Sequence, residues 1–247
     1  MKIIGTFLTL LLIAGTRANL VPGDDAFLRM DYPTAIEAYE KELALDANDP
    51  EVLWRLARVY VCAGEVKSYD EAESDFRKAA SYARACLRND STCSAGHTWL
   101  AAALGYLALE APLHEKLRLT AEMSEEIDKA IAFDPHNDAA YSMRGSFYRA
   151  LGNAGWLERK LAVLLFGSVF DGGYEEAEAA LKKAIELAPG VMRHPYELGI
   201  LYLDWGRKDE ARAMLERAAQ LPLRVAIDVP RREKIRMLLS QLAAEER

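Results

Sequence analysis

Four histidines, at positions 97, 114, 136 and 194, are the residues that would carry metal or acid–base chemistry, and their spacing suits neither. None forms an H-x-x-H pair and none neighbours a cysteine pair, whereas zinc needs three or four convergent nitrogen or sulfur ligands. His136 stands in Asp134-Pro135-His136-Asn137-Asp138, a run of turn formers. There is no Gly-rich phosphate loop, no G-x-S-x-G and no H-E-x-x-H. The carboxylates come in runs such as Glu175-Glu176 and Glu245-Glu246, the pattern of a solvated helix surface and not of two acids held at different pKa values. These residues point away from an enzyme, and no metal or cofactor is called for. Three cysteines are too few for a disulfide scaffold. Cys62 lies on an apolar helix face and reads as a small core residue. Cys86 and Cys93 flank a short turn; a bridge between them and a separation too wide for one are both open.

The segments that must position these residues repeat. Asp31–Pro50 ends a helix with Ala35, Tyr39 and an Asp46–Pro50 turn; Leu53, Leu56, Ala57 and Tyr60 open another, and Ala72, Phe76 and Ala79 line its partner. Ile127, Ala130 and Pro135 repeat the ending, Tyr141, Gly145 and Tyr148 the opening, and Ala177, Leu181, Ala184 and Pro189 the ending again. Leu198, Gly199, Tyr202, Gly206, Ala211, Leu215 and Ala218 fill one full unit within Met192–Pro222. Apolar residues recur at helical spacing throughout, so the chain is all-α, and the offsets are those of the 34-residue tetratricopeptide repeat. Stacked pairs of this kind form a curved solenoid. About four and a half pairs are expected across residues 19–227, the first truncated. A C-terminal capping helix over 228–247 follows, with Asp228 as its N-cap and Pro230 in its first turn.

Three stretches depart from the period. Met1–Ala18 has a lysine, a 12-residue apolar run and a small residue before Asn19, the pattern of a secretory signal peptide. This predicts an exported protein, periplasmic or secreted; an uncleaved membrane anchor is the alternative. The helix after Ala79 runs about two turns long, through Ser81–Asp90. Residues 153–173 are an insertion whose centre, with Trp156, Leu161, Leu165 and Phe166, is a helix apolar on every side. Such a helix has to be covered, either by the array or by a ligand it helps to enclose.

Leu53-Trp54-Arg55-Leu56-Ala57-Arg58 resembles the opening motif of the regulator of microtubule dynamics family. The Trp99 helix and Glu126-Ile127-Asp128-Lys129-Ala130-Ile131 follow in that family's order. Trp156-Leu157-Glu158-Arg159-Lys160-Leu161-Ala162, then Leu165-Phe166 and Tyr174-Glu175-Glu176-Ala177, are similar to its inserted helix. The likeness spans roughly residues 48–225. It implies a helical-repeat domain linked with microtubules and, in some members, with membrane contact and lipid binding.

The first helices of a solenoid line its concave face. Their inward offsets give Trp54 and Arg58, Thr98 with Tyr106 nearby, Ser142 and Arg149, and Tyr196 and Ile200. The expected groove is aromatic and aliphatic with two arginines as charged handles for a carboxylate or phosphate; internal ion pairs are the other use of those arginines. A net charge of −7 on 247 residues is a poor footprint for nucleic acid. The expected function is therefore a non-enzymatic binding scaffold for a protein or peptide segment. An amphiphile or lipid is the alternative ligand, and self-association through the array ends is a third role.

Overall fold

Alanine sets the spacing of the array. Ala35, Ala79, Ala130, Ala184 and Ala218 have no solvent exposure. They sit on the second helix of successive pairs, where a methyl group lets the neighbouring helix approach closely. The computed structural model describes residues 20–154 and 172–245. Among these residues all regular structure is helical: α1 Val21–Leu28, α2 Tyr32–Leu43, α3 Pro50–Gly64, α4 Tyr69–Asn89, α5 Ser94–Leu109, α6 Leu113–Phe133, α7 Asp138–Asn153, α8 Tyr174–Leu187, α9 Arg193–Asp204, α10 Lys208–Ala219 and α11 Asp228–Glu245. Consecutive helices pack antiparallel as five pairs, with α11 against the last. The expected signal segment at 1–18 lies outside the described residues, as does the expected inserted helix with Trp156, Leu161, Leu165 and Phe166.

The turns between early pairs share one construction. The carboxylates of Asp46, Asp90 and Asp134 accept from the backbone N–H two residues on, at 3.0, 2.9 and 2.9 Å. Three residues further along each turn, Asp49, Cys93 and Asn137 cap α3, α5 and α7; such a cap contributes about 1 kcal/mol. These landmarks are 44 residues apart. The 34-residue repeat is therefore stretched in two units, because α4 and α6 each run to 21 residues. The second of these extensions is hidden in sequence by the polar run at Leu113–Glu126. His136 is a turn residue.

Glycines on the first helices allow the closest approaches. A Cβ on Gly145 would stand 2.4 Å from Leu181 Cγ, and one on Gly199 2.9 Å from Leu215 Cγ. The largest apolar cluster joins α1 through α7; two smaller ones join α8 to α10 and α9 to α11. Ile235 and Leu242 of α11 are buried on Met192, Leu215 and Ala218, so the last helix covers the open end of the array. No helix among the described residues is long and apolar enough to cross a membrane.

Candidate functional site on the inner face

Two of the expected groove residues are core. Thr98 is 2% exposed: its Oγ1 donates to the Ser94 carbonyl at 2.8 Å and accepts from Asn137 Nδ2 at 2.7 Å. It joins α5 to the cap of α7. Ser142 is completely buried and its Oγ has no partner among the described residues. Neither can touch a ligand in this arrangement. Thr98 tolerates burial because a short hydroxyl can satisfy itself locally inside a helix pair; nothing in the structure accounts in this way for Ser142.

Arg58 and Trp54 are engaged by α1, an element that the repeat pattern shows only as a truncated start. The Arg58 Nη2 donates to Asp24 Oδ1 at 3.1 Å and to Tyr39 Oη at 3.2 Å, and its guanidinium lies 3.8 Å from the Phe27 ring centre. Tyr39, fully buried, donates to the same carboxylate at 2.6 Å, and Arg55 Nε does so at 3.2 Å. Trp54 stacks beneath both guanidinium groups, 4.2 Å from Arg55 and 5.1 Å from Arg58. Burial alone would raise the Asp24 pKa, but the Tyr39 hydrogen bond and the two cations outweigh it and hold the carboxyl below its ordinary value. Arg149 is also paired, to Asp204 at 2.8 Å and to Glu197 at 3.7 Å. Of the two uses foreseen for these arginines, the internal ion pair is the one present.

A different group of polar residues converges on the hollow of the superhelix. Cys62 and Glu65 come from the end of α3, Tyr106 from the end of α5, Ser146 and Arg149 from α7, and Arg193, Tyr196 and Glu197 from α9. Tyr106 stacks on Phe76, with ring centres 4.5 Å apart, and donates to Glu65 Oε1 at 2.5 Å. Ser146 Oγ donates to Glu197 Oε2 at 3.2 Å. The desolvation of Arg193 is outweighed by the fields of Tyr106, Glu197 and Glu65, which are near enough to act on it, and its buried Nε has no hydrogen-bond partner among the described residues. Tyr196 lies under the Arg231 guanidinium at 5.5 Å, and Ile200 is partly buried one turn beyond it. Of these, Tyr196, Ser146 and Arg149 stand at inward offsets of the repeat and Tyr106 one residue beyond one. Glu65 and Arg193 were missed, since each sits at a helix end that reaches the hollow only because the array curls.

The buried polar cluster outside this hollow is structural. His97 Nδ1 faces Glu126 Oε2 at 2.5 Å, its Nε2 faces the Ser91 carbonyl at 3.0 Å, and Lys129 donates to Glu126 Oε1 at 2.7 Å. Both partners of the ring only accept, so the geometry favours the doubly protonated imidazolium. Burial opposes that charge, yet the bonds to Glu126 and Ser91 prevail and raise the His97 pKa. Burial likewise opposes the Glu126 charge, and His97 and Lys129 reverse the effect and lower its pKa. A raised histidine stabilises fully below about pH 6.5 and fades as pH climbs through its folded value; a lowered glutamate stabilises above about pH 4.5 and fades as pH falls through its own. The advantage in melting midpoint of the wild type over His97→Gln/Glu126→Gln is thus expected to be largest between about pH 4.5 and 6.5 and to shrink as the pH climbs through the raised His97 value. A gap independent of pH would show that the pair is not ionised.

Cys62, Cys86 and Cys93 are free thiols. Cys86, fully buried, donates to the Pro50 carbonyl at 3.4 Å, while Cys93 Sγ accepts from Gly96 N–H at 3.4 Å. The Cys86 thiol, whose one S–H is shared between the Pro50 carbonyl and Cys93, and the Gly96 amide outweigh burial and lower the Cys93 pKa to about 7; burial pushes Cys62 up. Iodoacetamide is expected to label Cys93 with a half-maximal rate near pH 7 and to leave Cys62 and Cys86 unlabelled in the folded chain. Labelling of all three at equal rates would contradict this placement.

Antiparallel helix pairs stacked into a superhelix around a polar hollow define a tetratricopeptide-type array. TTC0263, a thermophilic TPR protein of Thermus thermophilus, has the same fold, with a TM-score of 0.67 at 21% identity over 92% of this chain and 97% of that one. The chain belongs to the regulator of microtubule dynamics family: the family model for regulator of microtubule dynamics protein 1-3 matches residues 23–243. It is 29% identical over 177 residues to regulator of microtubule dynamics protein 3 of Rattus norvegicus, covering 70% of this chain and 37% of that protein. It is 23% identical over 204 residues to regulator of microtubule dynamics protein 1 of Caenorhabditis elegans, covering 83% and 90%. The chain thus spans little more than a third of the rat protein's length.

Proposed function

We propose that the chain is a non-enzymatic scaffold whose inner hollow takes an extended protein or peptide segment. The observation that carries this reading is the convergence of Glu65, Tyr106, Arg193, Tyr196 and Glu197 from three helices distant in sequence. Alternating donors, acceptors and aromatic faces suit a peptide, whose backbone offers both hydrogen-bonding senses. An acyl chain would leave these charges desolvated and unpaired. Panning a random peptide library against the folded chain tests it. A consensus is expected to emerge, and Arg193→Gln, which adds no third carboxylate beside Glu65 and Glu197, is expected to lose it while the helical signal is kept; the melting midpoint is recorded alongside. No consensus, with a lipid retained in native mass spectrometry, would establish the amphiphile alternative instead.

Family membership supports a second, broader role in a microtubule-linked process. Co-sedimentation with polymerised tubulin, repeated at raised salt, separates direct contact from a role through another protein.

A further inference from the structure

The chain that links α10 to α11 does not pass around the outside of the array. Ala226 N–H donates to Tyr32 Oη at 2.8 Å, joining the loop before the last helix to the first full helix. Val225 and Ala226 pack on the large N-terminal apolar cluster, whereas Leu221 and Leu223 pack on the C-terminal one beside Met192, Leu215 and Tyr196. This short segment therefore touches both ends of the solenoid. It is held in shape by the buried carboxylate of Asp228, which accepts from the backbone N–H of Arg224 at 2.9 Å and of Val225 at 3.2 Å and pairs with Arg231. Arg231 in turn covers Tyr196 and is close enough to Tyr106 to affect its ionisation; Asp228 similarly reaches Tyr32 and Cys62. These are residues of the hollow itself.

We propose that Leu221–Arg231 is a built-in occupant of the inner surface, an intramolecular stand-in that an external segment must displace. The inference rests on the proposed peptide-binding role and gives it chemistry. The occupant presents aliphatic Leu223, Val225, Ala226 and Ile227 in a non-helical turn, offers a backbone N–H to Tyr32, and ends in an aspartate–arginine pair. A competing partner presents the same features: a short aliphatic stretch with a free backbone donor, followed by charged residues. Occupancy by the protein's own chain also keeps the aromatic walls covered while no partner is present.

A fluorescent peptide of residues 220–232 is the probe, added to the full chain. The Ala226 amide of the wild type is expected to exchange slowly with deuterated solvent and to exchange about tenfold faster in Tyr32→Phe, the effect of losing a single hydrogen bond. Asp228→Ala, which unties the turn and frees Arg231 while leaving Tyr32, Tyr106 and Tyr196 in place, is expected to bind the probe about tenfold more tightly than wild type, since the internal competitor is weakened. Ala226→Pro, which removes the donating amide from the internal segment alone and leaves Tyr32 in place for the probe, provides a second opened form should Asp228→Ala fold poorly, and the melting midpoint of each is recorded. Rapid exchange at Ala226 in the wild type overturns the docking of the segment. Equal probe binding by wild type and opened forms overturns its role as a displaceable occupant. Slow wild-type exchange, faster exchange in Tyr32→Phe and tighter probe binding by the opened forms, alongside a library consensus that ignores the hollow, would sustain the occupant and overturn only the peptide-binding role.

Discussion

Gly145→Leu is expected to lower stability by about 3 kcal/mol, the upper part of the range for overpacking a core. The position has no room even for a methyl group. A Cβ there would stand 2.4 Å from Leu181 Cγ, 2.8 Å from its Cδ2 and 3.2 Å from the Ala177 carbonyl oxygen. Leu181 is itself completely buried and its neighbours in α8 are fixed, so it cannot swing clear. Gly199→Leu is expected to cost somewhat less, about 1–3 kcal/mol, because the corresponding approach to Leu215 Cγ is 2.9 Å and the Ala211 carbonyl stands back at 3.4 Å. Denaturant unfolding measures both. The loss in the double change Gly145→Ala with Leu181→Ala is expected to be smaller than the sum of the two single losses, since the two residues share one space. Equal midpoints for wild type and Gly145→Leu would mean that α7 and α8 do not pack through these residues.

Arg58→Glu is expected to destabilise the N-terminal end of the array by roughly 1.5–3 kcal/mol, the scale of hydrogen bonds to a charged group. The substitution removes two donated bonds and the contact with Phe27, and it sets a second carboxylate beside Asp24. Arg55 still pairs with Asp24, and that carboxylate remains about a third exposed, so the loss falls short of that for a fully buried pair. The matching change Arg149→Glu is expected to affect the other end, where Asp204 and Glu197 would be left facing a like charge. Thermal unfolding of the two single variants and the double decides between an internal and a ligand-facing role. Full stability in the double variant would show that neither arginine holds the fold.

The repeat architecture was legible because its marks are local. Small residues such as Ala79, Ala130, Gly145 and Gly199, and the turns opened by Asp46, Asp90 and Asp134, each do their work locally, so their offsets survive in the sequence. The stretched units were legible only in part. The extension of α4 announces itself as extra apolar turns after Ala79, whereas that of α6 is polar and resembles a connector. Short α1 was missed although Pro22 at its first turn marks a helix start. That omission had a consequence for the site, because Asp24 on α1 is what claims Arg58. Inner-face offsets name Tyr196, and Tyr106 only as a neighbour of one, and do not reach Glu65, Arg193 or the Leu221–Arg231 turn. Those residues meet through the curl of the whole array, a property of summed packing angles that no single repeat encodes.

A photo-crosslinking residue placed at Tyr196, with a second chain carrying it at exposed Arg77 on α4, tests the binding role of the hollow most directly. After incubation with the peptide selected from the library and irradiation, the Tyr196 probe is expected to capture the peptide and the Arg77 probe to capture none. Capture from Arg77 alone, or equally from both, would place the binding surface outside the hollow and contradict the account.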